Sequence, residues 1–403
     1  MAQSKRFLSG LAIALLSFFA VVSYFFPGGL QQLSLWICVP GAAILSYFAV
    51  PHHKADRYMK LQIALYLWVA FTALFAYKYN LALNQLRRIV VCFLMIYSIH
   101  QLGKDYKLTI WLYIVFILYY AGIVYYANTH ILTEFYDYTE DRLDDDVLNA
   151  NVVAYFTFFT TFIVFILAEI VKKKSVRWLL RLLFLLTPVW SFIVALLTAS
   201  RQVIVIQVPL ILILLYLRYM KSRQPIAKIL FLVIGITMGI MLATKGSSVY
   251  EGSTLSQRNE IELGEDARSV LIRKAIDVGI SHPIVGVGPG CFGIYGMHRN
   301  TFSHNNYTEL FANCGFTALV LCVALLIKFL TIQWKRYKKH KDNMFLIFLA
   351  FGLMYAVDCM FYVFYTHPWL MAFFFLVAIH GENYYELNYL NQPLSDNEQL
   401  ENE

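Results

Sequence analysis

The chain opens with MAQSKRFLSGLAIALLSFFAVVSYFF, residues 1–26, and the reading of this stretch decides the fold. Lys5 and Arg6 precede an apolar run of about 20 residues, the length a helix needs to cross a bilayer core. A secretory signal starts the same way, but its apolar core is shorter and ends at a small-residue cleavage site. This run lacks a good site, so it reads as a first transmembrane helix that is retained.

Similar runs recur at 29–50, 61–77, 89–103, 108–127, 152–171, 182–198, 202–220, 229–244, 306–330, 344–365 and 368–380. The composition agrees: 59% of residues are hydrophobic and 14% charged, with mean hydropathy +0.59. Soluble domains hold about 45–50% apolar and about 25% charged residues. The excess is lipid-facing surface. The expected fold is an all-α membrane protein of about 12 transmembrane helices. Net charge is +8, yet the basic residues sit mainly in short loops between apolar runs, where they set topology. No nucleic-acid surface is expected. The six cysteines form no CxxC pair and lie mostly in apolar runs, so they read as small buried residues.

With a cytoplasmic N-terminus, the inner loops carry the basic clusters. Among them are Lys54, Arg57 and Lys60; Lys172, Lys173 and Lys174; and Lys335, Arg336, Lys338 and Lys339. The segment 128–149 falls outside and is acidic, with Glu134, Asp137, Glu140 and Asp144 among others. This follows the positive-inside rule. The exception is 78–88, where Lys78, Arg87 and Arg88 fall on the outer side. Either they have work to do there, or the third and fourth helices are misplaced. The expected organisation is helices 1–9 over 1–244, an extracytoplasmic loop over 245–305, helices 10–12 over 306–380, and a cytoplasmic acidic tail over 381–403. No internal repeat and no paired broken helices are visible.

The outer loop holds one amphipathic helix. In Asp266–Ile280 the apolar positions 267, 271, 275 and 278 recur at helical spacing, and Pro283 ends the helix near Ser281. Next comes Pro283-Ile284-Val285-Gly286-Val287-Gly288-Pro289-Gly290, which is neither a P-loop nor a dinucleotide fingerprint. Gly286, Gly288 and Gly290 read as a tight turn bringing backbone close to another element, with direct ligand contact as the alternative. Ser303-His304-Asn305-Asn306-Tyr307 then opens the tenth membrane helix. Ser303 is the expected N-cap, placing His304 on the first turn. The positive end of the helix dipole disfavours imidazolium there, and a neutral imidazole is what a general base needs. The competing reading is an interfacial histidine with a structural hydrogen bond.

Arg201, in Thr198-Ala199-Ser200-Arg201, stands between two apolar runs at the outer interface. A guanidinium at that depth is costly unless paired, so it is either functional or a structural ion pair. Helix N-termini bind phosphate through free N–H groups and the dipole, and arginine adds bidentate geometry. Arg201, Arg268 and Arg273 together would suit a phosphate or diphosphate at the outer surface. Asn149 and Asn151 open the sixth helix on that side, either as caps or as contacts to a sugar hydroxyl.

Taken together, these motifs over 198–320 resemble the O-antigen ligase and O-antigen polymerase superfamily of membrane glycosyltransferases. The resemblance rests on Arg201 after a short outer turn, Ala267-Arg268-Ser269-Val270-Leu271, His282–Gly290, and Ser303-His304-Asn305-Asn306-Tyr307 leading to Gly315. Ala267 departs from the pattern, which usually has Gly before this arginine. The resemblance implies a glycan donor linked to undecaprenyl diphosphate, on the outer face of a bacterial inner membrane. It implies that Arg201 and Arg268 hold the diphosphate, to which the local reading adds Arg273, and that His304 activates the acceptor hydroxyl. Asn151, Asn305 and Glu309 are then candidate acceptor or glycan contacts. Direct displacement without a metal or other cofactor, with inversion at the anomeric carbon, is expected. A chain-length regulator and a flippase are the implied protein partners.

The superfamily divides by acceptor. A polymerase joins repeat units of O-antigen, capsule or exopolysaccharide on the carrier. A ligase moves finished glycan to lipid A-core or protein. The His-Asn-Asn-Tyr-x-Glu-Leu wording resembles polymerases more closely. A lipid-linked glycan transporter would need polar residues along a path through the bundle, and Glu169, Asp358 and His100 are among the few within the apolar runs.

Overall fold

Helix starts in this chain are fixed by short polar side chains. Asp56, Asp105, Asn149, Asn305 and Asp342 each accept backbone N–H groups one turn into the helix that follows. The computed structural model describes residues 2–26, 28–50, 55–132, 148–220 and 267–390. Of these, 85% are helical and none lies in a strand. In order the helices are α1 (Ala2–Phe25), α2 (Gly29–Ala49), α3 (Arg57–Thr72), α4 (Tyr79–Gly103), α5 (Tyr106–Tyr126), α6 (Ala150–Ile170), α7 (Lys174–Thr198) and α8 (Arg201–Leu215). After these come α9 (Ala267–Ser281), α10 (Phe292–Met297), α11 (Asn306–His340), α12 (Asn343–Asp358) and α13 (Pro368–Tyr385).

Eight of them, α1 through α7 and α11, are long and apolar enough to cross a membrane, while α8 and α12 are shorter and apolar. The chain is a helical, membrane-embedded protein. The expected ninth run, 229–244, and loop residues 245–266 lie outside the described residues. So do most of the acidic segment and the tail from 391. All six cysteines are free and buried.

Several expected boundaries change: α7 begins at Lys174 rather than 182 and α11 runs to His340 rather than 330. α4 begins at Tyr79 rather than near 89, so Arg87 and Arg88 lie within the helix instead of a loop. α12 ends at Asp358 rather than 365, which leaves 359–367 as a non-helical turn before Pro368 starts α13.

Residues Trp369–Asn383 of α13 are all buried, which is how a helix reads at the centre of a bundle. Trp369 stacks on Phe19 of α1 at 5.4 Å and on Tyr119 of α5 at 4.2 Å. Phe373 stacks on Phe159 of α6 at 4.1 Å. Because protein rather than lipid surrounds α13, it can carry polar groups that find partners. His380 Nδ1 lies 2.9 Å from the Tyr113 hydroxyl. Glu382 accepts from Arg336 at 2.6 Å and from Tyr58 at 3.1 Å, tying α13, α11 and α3 together at one end.

Ion pairs orient the α6–α8 hairpins. Arg181 at the start of α7 and Arg218 just past α8 both reach Glu169 near the end of α6, at 3.8 and 3.1 Å. The opposite end therefore carries the start of α6, the end of α7 and the start of α8.

The helix expected in the outer loop forms as α9, ending at Ser281 as Pro283 dictates, with Ala275 and Val278 buried. It packs on α11, with Gly279 against the Phe311 ring. α11 itself is broken. Gly315 takes φ 76, ψ −177, a break that the unpunctuated run 306–330 does not announce.

The glycine run fills that break. Val287 and Gly288 donate to the Ala312 and Asn313 carbonyls at 3.0 and 2.8 Å, and Phe316 donates to the Pro283 carbonyl at 2.7 Å. On the other side, Tyr77 donates to Val287 at 2.8 Å. The Cys314 carbonyl freed by the break accepts from the Trp68 indole at 2.9 Å. Gly286 and Gly288 have φ 67 and 98, and a Cβ on either would sit 2.3 or 2.4 Å from backbone of Asn313 or Ala76. Gly290 also has positive φ, 73. Of the two readings of this run, the structure supplies the one in which backbone meets another element.

Candidate functional site

The start of α6 is built by two asparagines with different work. Asn149 caps the helix through the Asn151 N–H at 2.9 Å. That leaves the Asn151 side chain to the site, where its Oδ1 accepts from Arg268 Nη2 at 3.0 Å. Asn151 is buried and Arg268 half-buried. This is a long-range contact, holding the first turn of α9 against the first turn of α6. The contact fixes the direction of the guanidinium.

His304 is presented by a different device. The cap of α11 is Asn305, not Ser303: its Oδ1 accepts from Tyr307 and Thr308 at 3.0 and 3.1 Å. His304 therefore precedes the helix instead of sitting on its first turn, and takes φ 56. A left-handed conformation is uncommon outside glycine, and it persists here because both neighbours are pinned. Ser303 N–H donates to Glu309 Oε2 at 2.6 Å, and its hydroxyl donates to the Asn305 carbonyl at 3.0 Å. Between these fixed points the half-buried imidazole lies against Phe302 at 4.2 Å.

Asn305 and Glu309, expected as glycan contacts, are instead occupied within the protein. Asn305 is the cap. Glu309 holds Ser303 through one oxygen and the Asn313 amide through the other at 2.7 Å, and both side chains are buried. Asn313 in turn accepts from the Phe292 N–H at 2.8 Å. The network runs from the turn before α11 to the glycine run.

Arg201 is the first residue of α8, with Ser200 at the cap position but making no side-chain cap bond. The Arg201 side chain lies outside the described residues. Arg273 is exposed and five residues beyond Arg268, about 140° round the helix. The two arginines of α9 therefore do not share a face, and only Arg268 is brought to Asn151.

Sequence reasoning missed the aromatic residues of this end. Tyr155, one turn after Asn151, donates to the Phe361 carbonyl at 3.1 Å and lies 5.1 Å from the Tyr362 ring. Tyr362 meets Phe302 edge-on at 5.6 Å and His367 at 6.2 Å. Burial, and then the charge of Arg88, draw the His367 imidazole down to about 4, so it is neutral at physiological pH. Burial raises the Tyr362 phenol, with Arg88 acting in the opposite sense. The missed signal was the Tyr362–Pro368 stretch, which looks like the end of one apolar run and the start of another.

This end of the bundle thus gathers the start of α6, α8 and α11, one oriented guanidinium, one strained histidine and a line of rings. Chemically it can hold an anion, accept a proton and stack a sugar face. The chain matches no protein-family model and no curated protein.

Proposed function

We propose that the protein is a polysaccharide polymerase, joining glycan repeat units carried on undecaprenyl diphosphate at the outer face of a bacterial inner membrane. In this reading about twelve helices span the membrane and both termini are cytoplasmic. The observation that carries the reading is the Arg268–Asn151 pair at 3.0 Å, at the same end as His304. The pair sets the direction of a cation, and in this reading it serves the same reaction as His304, where helix starts already favour negative charge.

The acceptor hydroxyl gives its proton to His304 as its oxygen forms the new bond to the donor's anomeric carbon. The bond from that carbon to the diphosphate oxygen breaks, and the electron pair leaves with the diphosphate. Arg268, with Arg201 and the start of α8, stabilises the charge that develops. Attack opposite the leaving group inverts the anomeric carbon. A product with retained configuration, read by NMR of the polymer linkage, would contradict direct displacement.

The test is transfer by purified protein given a lipid-linked repeat unit. Arg268→Gln is expected to lower the rate about a hundredfold, the scale of one pre-placed electrostatic contact. Arg273→Gln is expected to change it less than threefold, because Arg273 faces away from Asn151. Equal losses at the two positions would argue for a diffuse basic surface.

A further inference from the structure

Arg87 and Arg88 contradict the positive-inside pattern, and the reaction proposed above gives them no part. They lie about 12 Å along α4 from its start, well into an apolar helix, and both are exposed. Together with Leu35 and Trp36 of α2, Val91 and His367, they line a groove of about 270 Å³. None of its described lining residues is acidic. Among the described residues neither arginine pairs with a carboxylate; Arg87 reaches only the Asn84 amide, at 3.5 Å. Trp36 is 52% exposed, on the outer wall of the bundle.

Two unneutralised guanidiniums beside an apolar wall suit an anion attached to a hydrocarbon chain. Arginine takes phosphate oxygens in a bidentate fork, and a lipid tail would cover Leu35, Trp36 and Val91. A free anion would leave that wall bare. From the groove, the rings run inward without a gap: His367 to Tyr362 at 6.2 Å, Tyr362 to Phe302 at 5.6 Å, Phe302 to His304 at 4.2 Å. Sugar faces stack on such rings. These ring contacts link the groove wall at His367 to the histidine.

A polymerase has two substrates, each with its own lipid diphosphate. The donor's diphosphate must sit beside the reacting carbon, near Arg268. The acceptor reacts at its far end, so its diphosphate must lie one repeat unit away from His304. We propose that Arg87 and Arg88 seat the lipid diphosphate of the acceptor, with its glycan laid along Tyr362 and Phe302 to His304. This rests on the polymerase reading.

Two measurements separate the proposal from that reading. The first counts undecaprenyl phosphate bound to the full chain in lipid nanodiscs, with inorganic phosphate as competitor. Wild type is expected to bind two lipids, and Arg87→Gln with Arg88→Gln one. The lysine pair Arg87→Lys with Arg88→Lys is expected to keep the second lipid at roughly tenfold weaker affinity. An unchanged count in the glutamine variant, or displacement by inorganic phosphate as tight as lipid, would overturn the seat. The second measures transfer kinetics. The glutamine variant is expected to raise the half-saturating acceptor concentration about tenfold and leave that of the donor unchanged. A rise for the donor instead, or for neither, would overturn the acceptor assignment. A wild-type protein that binds both lipids but transfers nothing would sink the polymerase reading while leaving the two-seat count standing. The acceptor role would fall with it.

Discussion

Replacing His304 by alanine is expected to lower glycan transfer by between about a hundredfold and ten-thousandfold, the usual contribution of a positioned general base. The expectation rests on geometry as well as on residue type. His304 is held at φ 56 between two pinned neighbours, an arrangement that costs of order 1–3 kcal/mol and persists only when the surroundings enforce it. Alanine at the same position keeps the strain and loses the imidazole. Stability should therefore change little while the rate collapses. Initial rates with a lipid-linked repeat unit, alongside thermal unfolding of the same preparation, separate the two effects. A variant within tenfold of wild-type rate would remove His304 from the chemistry.

The second large effect is expected far from any reacting atom. Gly315 has φ 76 and ψ −177, a region that essentially only glycine occupies. A Cβ there would lie 2.0 Å from the Ile284 carbonyl oxygen and 2.4 Å from its carbon, both backbone atoms that cannot rotate away. For Gly315→Ala the backbone conformation alone costs about 1–3 kcal/mol, and relief of the contact requires 283–288 to leave the break in α11. The predicted result is a markedly lower unfolding midpoint together with loss of transfer, because the same segment holds Asn313, whose amide holds Glu309 and through it Ser303 beside His304. Gly10→Ala is the matched control: that position is inside α1 with nothing within 4 Å of an added Cβ. A Gly315→Ala protein with wild-type midpoint and activity would mean that the break is dispensable.

How much could be read in advance follows from what each element faces. Helices that meet lipid must be long and apolar, so α1 and α2 appear in the sequence close to where they form. α13 was harder to delimit, because a helix surrounded by protein is free to carry His380 and Glu382 opposite Tyr113 and Arg336. α4 was shortened because its first turns are polar. Asn80, Asn84, Gln85, Arg87 and Arg88 look like loop, yet they continue a helix, and Arg87 and Arg88 line its groove.

In the site, the types were legible and the pairings were not. Arg268 and Asn151 stand 117 residues apart, and nothing local links them. Ser303 and Asn305 both suit a cap; the contest was settled by Glu309, which takes the Ser303 N–H and leaves Asn305 to the helix. The glycine run shows that backbone approaches something, but its partner, the break at Gly315, is set by tertiary contact alone. The arginines at 87 and 88 were visible only as a violation of the expected topology, which became informative once His367 and Trp36 joined them in one groove.

The measurement that bears most directly on the polymerase claim is a gel of surface glycan from a strain lacking the gene, complemented with wild type or with His304→Ala. The account predicts that deletion leaves carrier or acceptor bearing a single repeat unit, that wild type restores the ladder of long chains, and that His304→Ala does not. Bare acceptor with long glycan stranded on the carrier would instead identify a ligase, and a full ladder with His304→Ala would contradict the catalytic assignment.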